Sequence, residues 1–144
     1  MVMSVLVVVE HDQGAMADAS LEALAFARSI ADQLGEDVEA LLIGAVASDL
    51  AGACAAHGAA ACHLFSGAED YGPELYGAVV SAAVGQLSPS GIVACGTDRG
   101  NEVLAYAAAE LDLPFVANCL EVRTAAEWEI TRVQWGGSLN EEAR

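Results

Sequence analysis

Cys54, His57, Cys62 and His63 spell C-x-x-H-x-x-x-x-C-H, the thiolate and imidazole ligands that zinc takes when four of them converge. Cys54 and His57 are three residues apart and can share one side of a helix. Cys62 and His63 are neighbours in a short run that reads as a strand, where successive side chains point to opposite faces. Convergence on one ion therefore fails, and the expectation is two small buried thiols, two surface histidines and no metal ligand. His11 sits between Glu10 and Asp12 just after an apolar strand. An imidazole there could serve as a general base. Adjacent residues seldom face one another, so a solvated acidic loop is expected instead. No G-x-S-x-G elbow is present, and no catalytic residue is assigned. Gly96-Thr97-Asp98-Arg99-Gly100-Asn101 opens a helix after another apolar strand, where backbone N–H groups could hold an anion. Its glycines are spaced G-x-x-x-G rather than G-x-G-x-x-G, no lysine supports a phosphate, and Asp98 would repel one. A tight turn with a helix cap is expected there, and no cofactor-binding residue is assigned.

These residues need elements to position them. Val5 to Val9 is an unbroken Val/Leu run, the pattern of a strand buried on both faces of a parallel sheet. Asp18 or Ser20 can cap the next helix, in which Ala23, Phe26, Ala27, Ile30 and Leu34 recur at helical spacing and Gly35 ends it. Val38 to Gly44 is a second strand. Asp49 can cap a short alanine-rich helix that stops at Gly58, and Cys62 to Phe65 is a third strand. Pro73 suits the first turn of a helix running to about Leu87. Ile92 to Cys95 is a fourth strand. A helix from about Gly100 carries Val103, Leu104, Ala107, Ala108 and Leu111 on one face, with Pro114 beyond its end. Phe115 to Val122 is a fifth strand. Glu127 to Trp135 alternates more, so it is expected as an exposed or edge antiparallel strand. Trp135-Gly136-Gly137 reads as a hairpin turn. The fold class is α/β: one domain, residues 1–139, with an open, mostly parallel Rossmann-like (doubly wound) sheet, helices on both faces and an antiparallel edge strand. Residues 140–144 read as a polar tail. In such a sheet ligands sit beyond the carboxyl ends of the strands. Here that edge is Glu10 to Gly14, Gly44 to Ala47 and Gly96 to Asn101.

Composition excludes several classes. The formal net charge is −16, with five arginines and no lysine in 144 residues. Phosphate neutralisation needs clustered cations, so nucleic acid and anionic membrane surfaces are not expected as partners. No apolar run approaches the roughly 20 residues of a membrane span. The start lacks a basic n-region, which argues against a signal peptide and for a cytoplasmic protein. Cys54, Cys62, Cys95 and Cys119 are irregularly spaced and contain no C-x-x-C pair, the usage of reduced, buried thiols.

The stretch Gly91 to Val122, GIVACGTDRGNEVLAYAAAELDLPFVANCLEV, resembles the N-terminal domain of the electron-transfer flavoprotein α-subunit. The resemblance extends to VLVVVEHDQG at the start, ASLEALAFARSIAD after it, the strand Val38 to Gly44 and the turn at Trp135 to Gly137. It covers essentially the whole chain. Departures stand at Ala105 and Tyr106, where the family usually has Pro-Arg, at Ala117 and Asn118, where it has Ser-Asp, and at Trp135, where it has tyrosine. The resemblance implies a component of an electron carrier and not an enzyme: a scaffold that packs against a β-type subunit and a flavin-binding domain. FAD is then expected in the assembled complex and not on this chain, with AMP a candidate ligand of the partner. Electrons would pass from flavin dehydrogenases to a quinone oxidoreductase. Two readings stand beside it. One is a stand-alone adenine-nucleotide-binding or hydrolase domain of the same architecture. The other is a purely structural interaction domain.

Overall fold

The structure, a computed structural model, describes residues 4–12, 15–44, 49–66, 71–115, 119–124, 128–133 and 140–143. Its centre is the first strand, β1 (Ser4–Val8), all five residues of which are buried. β1 pairs in parallel with β4 (Asp37–Ile43) on one side and β6 (Gly91–Ala94) on the other. β5 (Ala59–Phe65) pairs in parallel with β4, so the sheet order is β5-β4-β1-β6. The alternating faces of β1 explain its composition. Val5, Val7 and Val9 pack on one face with α1 (Asp18–Leu34) through Leu24, Ala27, Ile30 and Ala31. Leu6 and Val8 pack on the other with α3 (Pro73–Leu87) and α4 (Asp98–Leu111) through Val80, Val103 and Ala107. α2 (Ala51–Ala56) covers the outer part of the first face through Cys54. A two-residue hairpin, β2 (His11–Asp12) with β3 (Ala15–Met16), stands between β1 and α1. The open parallel sheet with helices on both faces is thus present.

After α4 the chain leaves that sheet. β7 (Cys119–Thr124), β8 (Trp128–Val133) and β9 (Asn140–Ala143) form an antiparallel sheet in the order β7-β8-β9. The antiparallel strand expected near residues 127–135 is therefore β8, and it lies in the middle of this second sheet. Asn140–Ala143, expected as a tail, pairs along β8. The sheet is tied to the α/β core by β7. Val122 is buried in the α1 face, and Gln33 Nε2 donates to its carbonyl oxygen at 2.9 Å. The turn expected at Trp135 to Gly137 lies outside the described residues, as do Ala117 and Asn118.

Local chemistry departs from the expected caps in two helices and from the expected start in a third, whose cap lies in the expected turn. Neither Asp18 nor Ser20 caps α1: Ala17 holds that position with no side-chain bond, because Ser20 is one turn inside and fully buried. Asp49 does not cap α2, whose N-cap is Leu50, again with no side-chain bond. α4 begins at Asp98, two residues before the expected start, because Thr97 caps it and accepts from the Gly100 N–H at 3.0 Å. Gly35 ends α1 as expected, in the left-handed region at φ 68°. Gly77 lets α3 and α4 touch: a Cβ there would meet Tyr106 Cβ at 2.6 Å.

Candidate functional site

The first strand and β6 end side by side, and the chain turns to opposite sides after them, so their carboxyl ends mark the switch point of the sheet. Glu10 leaves β1 here and Thr97 to Gly100 leave β6. Glu10 Oε1 accepts from Thr97 Oγ1 at 2.6 Å. Thr97 therefore joins the Glu10 carboxylate to the N-terminus of α4, where the helix dipole favours negative charge. The backbone of Glu10 is fixed by Ser20, whose Oγ accepts from the Glu10 N–H at 2.8 Å and donates to the Glu10 carbonyl at 2.9 Å. Ser20 Oγ also lies 3.4 Å from Cys95 Sγ. Burial pushes the Cys95 thiol above its ordinary range, and the Ser20 hydroxyl partly opposes the rise.

Arg99 closes the other side. Its Nη1 donates to the His11 carbonyl at 3.0 Å, and its guanidinium carbon stands 4.3 Å from the centre of the Tyr71 ring. Tyr71 donates from its hydroxyl to Glu102 Oε2 at 2.9 Å and meets Tyr76 edge-on at 5.0 Å. Desolvation first, and then the Glu102 carboxylate, push the Tyr71 phenol up to about 12. The remaining crevice, lined by Val8, Glu10, His11, Tyr76, Cys95 and Arg99 among others, has room for about one water molecule. A dinucleotide needs a pocket of roughly several hundred Å³. Among the described residues this crevice has no room for a flavin or an adenine nucleotide.

Sequence reading placed Glu10 and the Gly96 to Asn101 turn at this edge, and the structure brings them together. It does not bring Glu10, His11 and Asp12 together as a catalytic group. His11 is buried rather than solvated, because its Nε2 donates to the Ile43 carbonyl at 2.6 Å, across to the end of β4. Asp12 is exposed on the small hairpin. Gly44 uses its N–H on the Phe65 carbonyl at 2.7 Å, closing β4 against β5. Residues 13, 14 and 45–47 of the expected edge lie outside the described residues. Tyr71 and Glu102 carry no signal in the sequence, and Ser20 signals there only a possible helix cap. The Ser20–Glu10 and Tyr71–Glu102 hydrogen bonds span 10 and 31 residues, and no spacing rule links them.

The Cys/His set separates by face. Cys62 packs with Cys54 on the α1/α2 face of the sheet. His63 turns to the other face and donates from Nε2 to Glu39 Oε1 at 2.6 Å, an ion pair when the imidazole is protonated. His57, at the end of α2, is exposed, not convergent with the others. Among the described residues no group of three or more His, Cys, Asp and Glu converges as a metal site.

Two predictions follow from this geometry. Thr97→Ala removes the α4 cap and the hydroxyl that binds Glu10, so it is expected to cost about 1–2 kcal/mol in urea unfolding. For Glu39, the His63 hydrogen bond first, and the Ser4 hydroxyl second, hold its carboxyl below the usual range against the opposing effect of burial. A depressed carboxylate pKa stabilises the fold above the unfolded value and stops doing so as pH falls through the folded value. The wild type should therefore lose stability relative to Glu39→Gln as pH falls below about 4.5, the ordinary value for the group. Parallel urea titrations between about pH 6 and pH 3 measure the difference; two parallel curves would contradict the assignment.

Comparison with known proteins agrees with this architecture. The electron transfer flavoprotein domain family matches residues 5–144. A curated relative, the electron transfer flavoprotein subunit alpha of Megasphaera elsdenii, is 28% identical over 145 aligned positions that take in 96% of this chain. The chain spans 42% of that relative's length.

Proposed function

Because the chain belongs to the electron transfer flavoprotein domain family, we propose that it is the scaffold and partner-binding domain of an α-type subunit of an electron-transfer flavoprotein. In this reading it works in the cytoplasm and docks a β-type subunit and a flavin-binding domain. It contributes no catalytic residue. FAD belongs to the assembled complex, AMP to the partner, and the complex carries electrons between flavin dehydrogenases and a quinone oxidoreductase.

The observation that carries the reading is the closed switch point. Where an open α/β sheet would take a nucleotide, this chain places its own Glu10 carboxylate beside the α4 N-terminus and its own Arg99 on Tyr71. A domain whose ligand crevice is filled by its own side chains is suited to presenting surfaces rather than holding a cofactor. The same filling weighs against a stand-alone adenine-nucleotide or hydrolase domain. No helix among the described residues is long and apolar enough to cross a membrane.

Native mass spectrometry on the protein captured from its own cells, through a tag at the chromosomal copy, tests the reading. The expected result is additional polypeptides together with the mass increment of FAD. Arrival alone and without ligand would overturn it. A second readout is thermal: ATP or AMP should leave the melting temperature unchanged. A nucleotide that did bind, at about 100 times its dissociation constant, would add about 2.7 kcal/mol.

A further inference from the structure

We propose that Cys54 and Cys62 are a reversible disulfide-forming pair, a redox modification site that links α2 to the edge strand β5. Three observations place the thiols together. Cys62 Sγ donates to the Ala51 carbonyl at 3.7 Å, so it lies against the first turn of α2. Cys54 follows Ala51 by three residues and so occupies the same side of that helix. Both sulfurs belong to one apolar cluster with Leu50, Ala51 and Ala59. The proximity is also felt electrostatically: burial first, and then Cys62, push the Cys54 thiol up to about 11.

The surroundings assign the two thiols different roles. Cys54 is fully buried, whereas Cys62 is half-buried on an edge strand. A small oxidant such as hydrogen peroxide therefore meets Cys62 first. The Cys62 thiolate attacks one peroxide oxygen, the O–O bond breaks, and the other oxygen leaves as water after taking a proton. The product is a sulfenic acid at Cys62. The Cys54 sulfur then attacks the Cys62 sulfur, and the hydroxyl departs as water with the Cys54 proton. Two thiols and one peroxide become one disulfide and two waters, and a dithiol reductant reverses the change. Closing a sulfur–sulfur bond requires its own geometry, and α2 is the element that would adjust. It is six residues long and has no side-chain cap at its start, so it is held mainly by packing. Cys95 lies elsewhere, beside Ser20 at the switch point, with its thiol buried.

The test uses the full chain, reduced and then titrated with hydrogen peroxide, alkylated with N-ethylmaleimide and read by intact mass and peptide mapping. Relative to the reduced, alkylated chain, the expected product lacks two hydrogens and two alkylation adducts and has a cross-link between Cys54 and Cys62, and treatment with dithiothreitol before the maleimide restores the fully alkylated mass. Cys54→Ser should stop at a Cys62 sulfenic acid that dimedone traps. Because Cys54 is buried and its replacement risks the fold, Cys62→Ser serves as the second variant: it should abolish the cross-link and leave Cys54 unoxidised at the same peroxide dose. Oxidation of the wild type at Cys62 to the sulfinic acid without a cross-link, a cross-link to another cysteine, or no oxidation at Cys62 would each overturn the proposal. None of these outcomes depends on the electron-carrier reading.

Discussion

Gly100→Ala is expected to lower stability by about 3 kcal/mol or more. A Cβ at this position would stand 1.9 Å from the Cys95 carbonyl oxygen, 2.9 Å from its carbonyl carbon and 3.2 Å from its nitrogen. All three are backbone atoms at the end of β6, so no rotamer change relieves the overlap. Relief requires the first turn of α4 to move away from the sheet. That movement would stretch the Gly100–Thr97 cap, the Thr97–Glu10 bond and the Arg99–His11 bond together. Overpacking that side chains can absorb costs about 1–3 kcal/mol, and one that needs backbone displacement exceeds that range. Gly85→Ala is the control. It lies within α3, a Cβ there meets nothing within 4 Å, and alanine should stabilise the helix by up to about 1 kcal/mol. Urea unfolding of both variants with a common m value measures the contrast. An unchanged midpoint for Gly100→Ala would show that β6 and α4 do not meet closely enough to close the switch point.

Gly100 also shows where the sequence was legible and where it was not. The glycine-bearing turn after an apolar strand was visible, and so was the helix that follows. The reason for the glycine was not, because it depends on the path of the Cys95 carbonyl. The spacing puts the helix start at about Gly100, since Thr97 gives its capping role only through a bond to an N–H three residues on. The first strand and α3 were plain for local reasons: an unbroken Val/Leu run in one, and Pro73 at the start of an apolar helix in the other. β5 begins at Ala59, three residues before the expected Cys62. Ala59 to Ala61 have little strand propensity, and pairing with Val38 and Glu39 makes them a strand. The closure of the candidate site was the least legible part. Arg99 meets a carbonyl 88 residues away and a ring 28 residues away, and neither partner announces itself by type or spacing. The segregation of Cys62 from His63 was readable, because the two-residue period of a strand fixes it once the strand is recognised.

Leu24→Ala is expected to cost about 3–4 kcal/mol and to lower the melting temperature by about 10 °C. Leu24 is fully buried on the face of α1 that meets the sheet. Its surroundings decide where in the usual range the cost falls. The cluster it belongs to includes Ala23, Ala27, Ala31 and Ala40, which have no side-chain rotamers with which to fill a hole. Val5, Val7 and Val38 in the same cluster are β-branched and stiff. A site that cannot collapse keeps its cavity and loses the contacts of the missing methyls as well as the transfer energy. Leu75→Ala, at a residue 47% exposed, should stay within about 0.5 kcal/mol. A stability of order 5–15 kcal/mol is ordinary for a domain, so the Leu24 variant should still fold and permit an m-value comparison. Equal, small losses for Leu24→Ala and Leu75→Ala would mean that α1 is not docked on the sheet. The Gln33–Val122 bond that ties the second sheet to α1 would then have no fixed anchor.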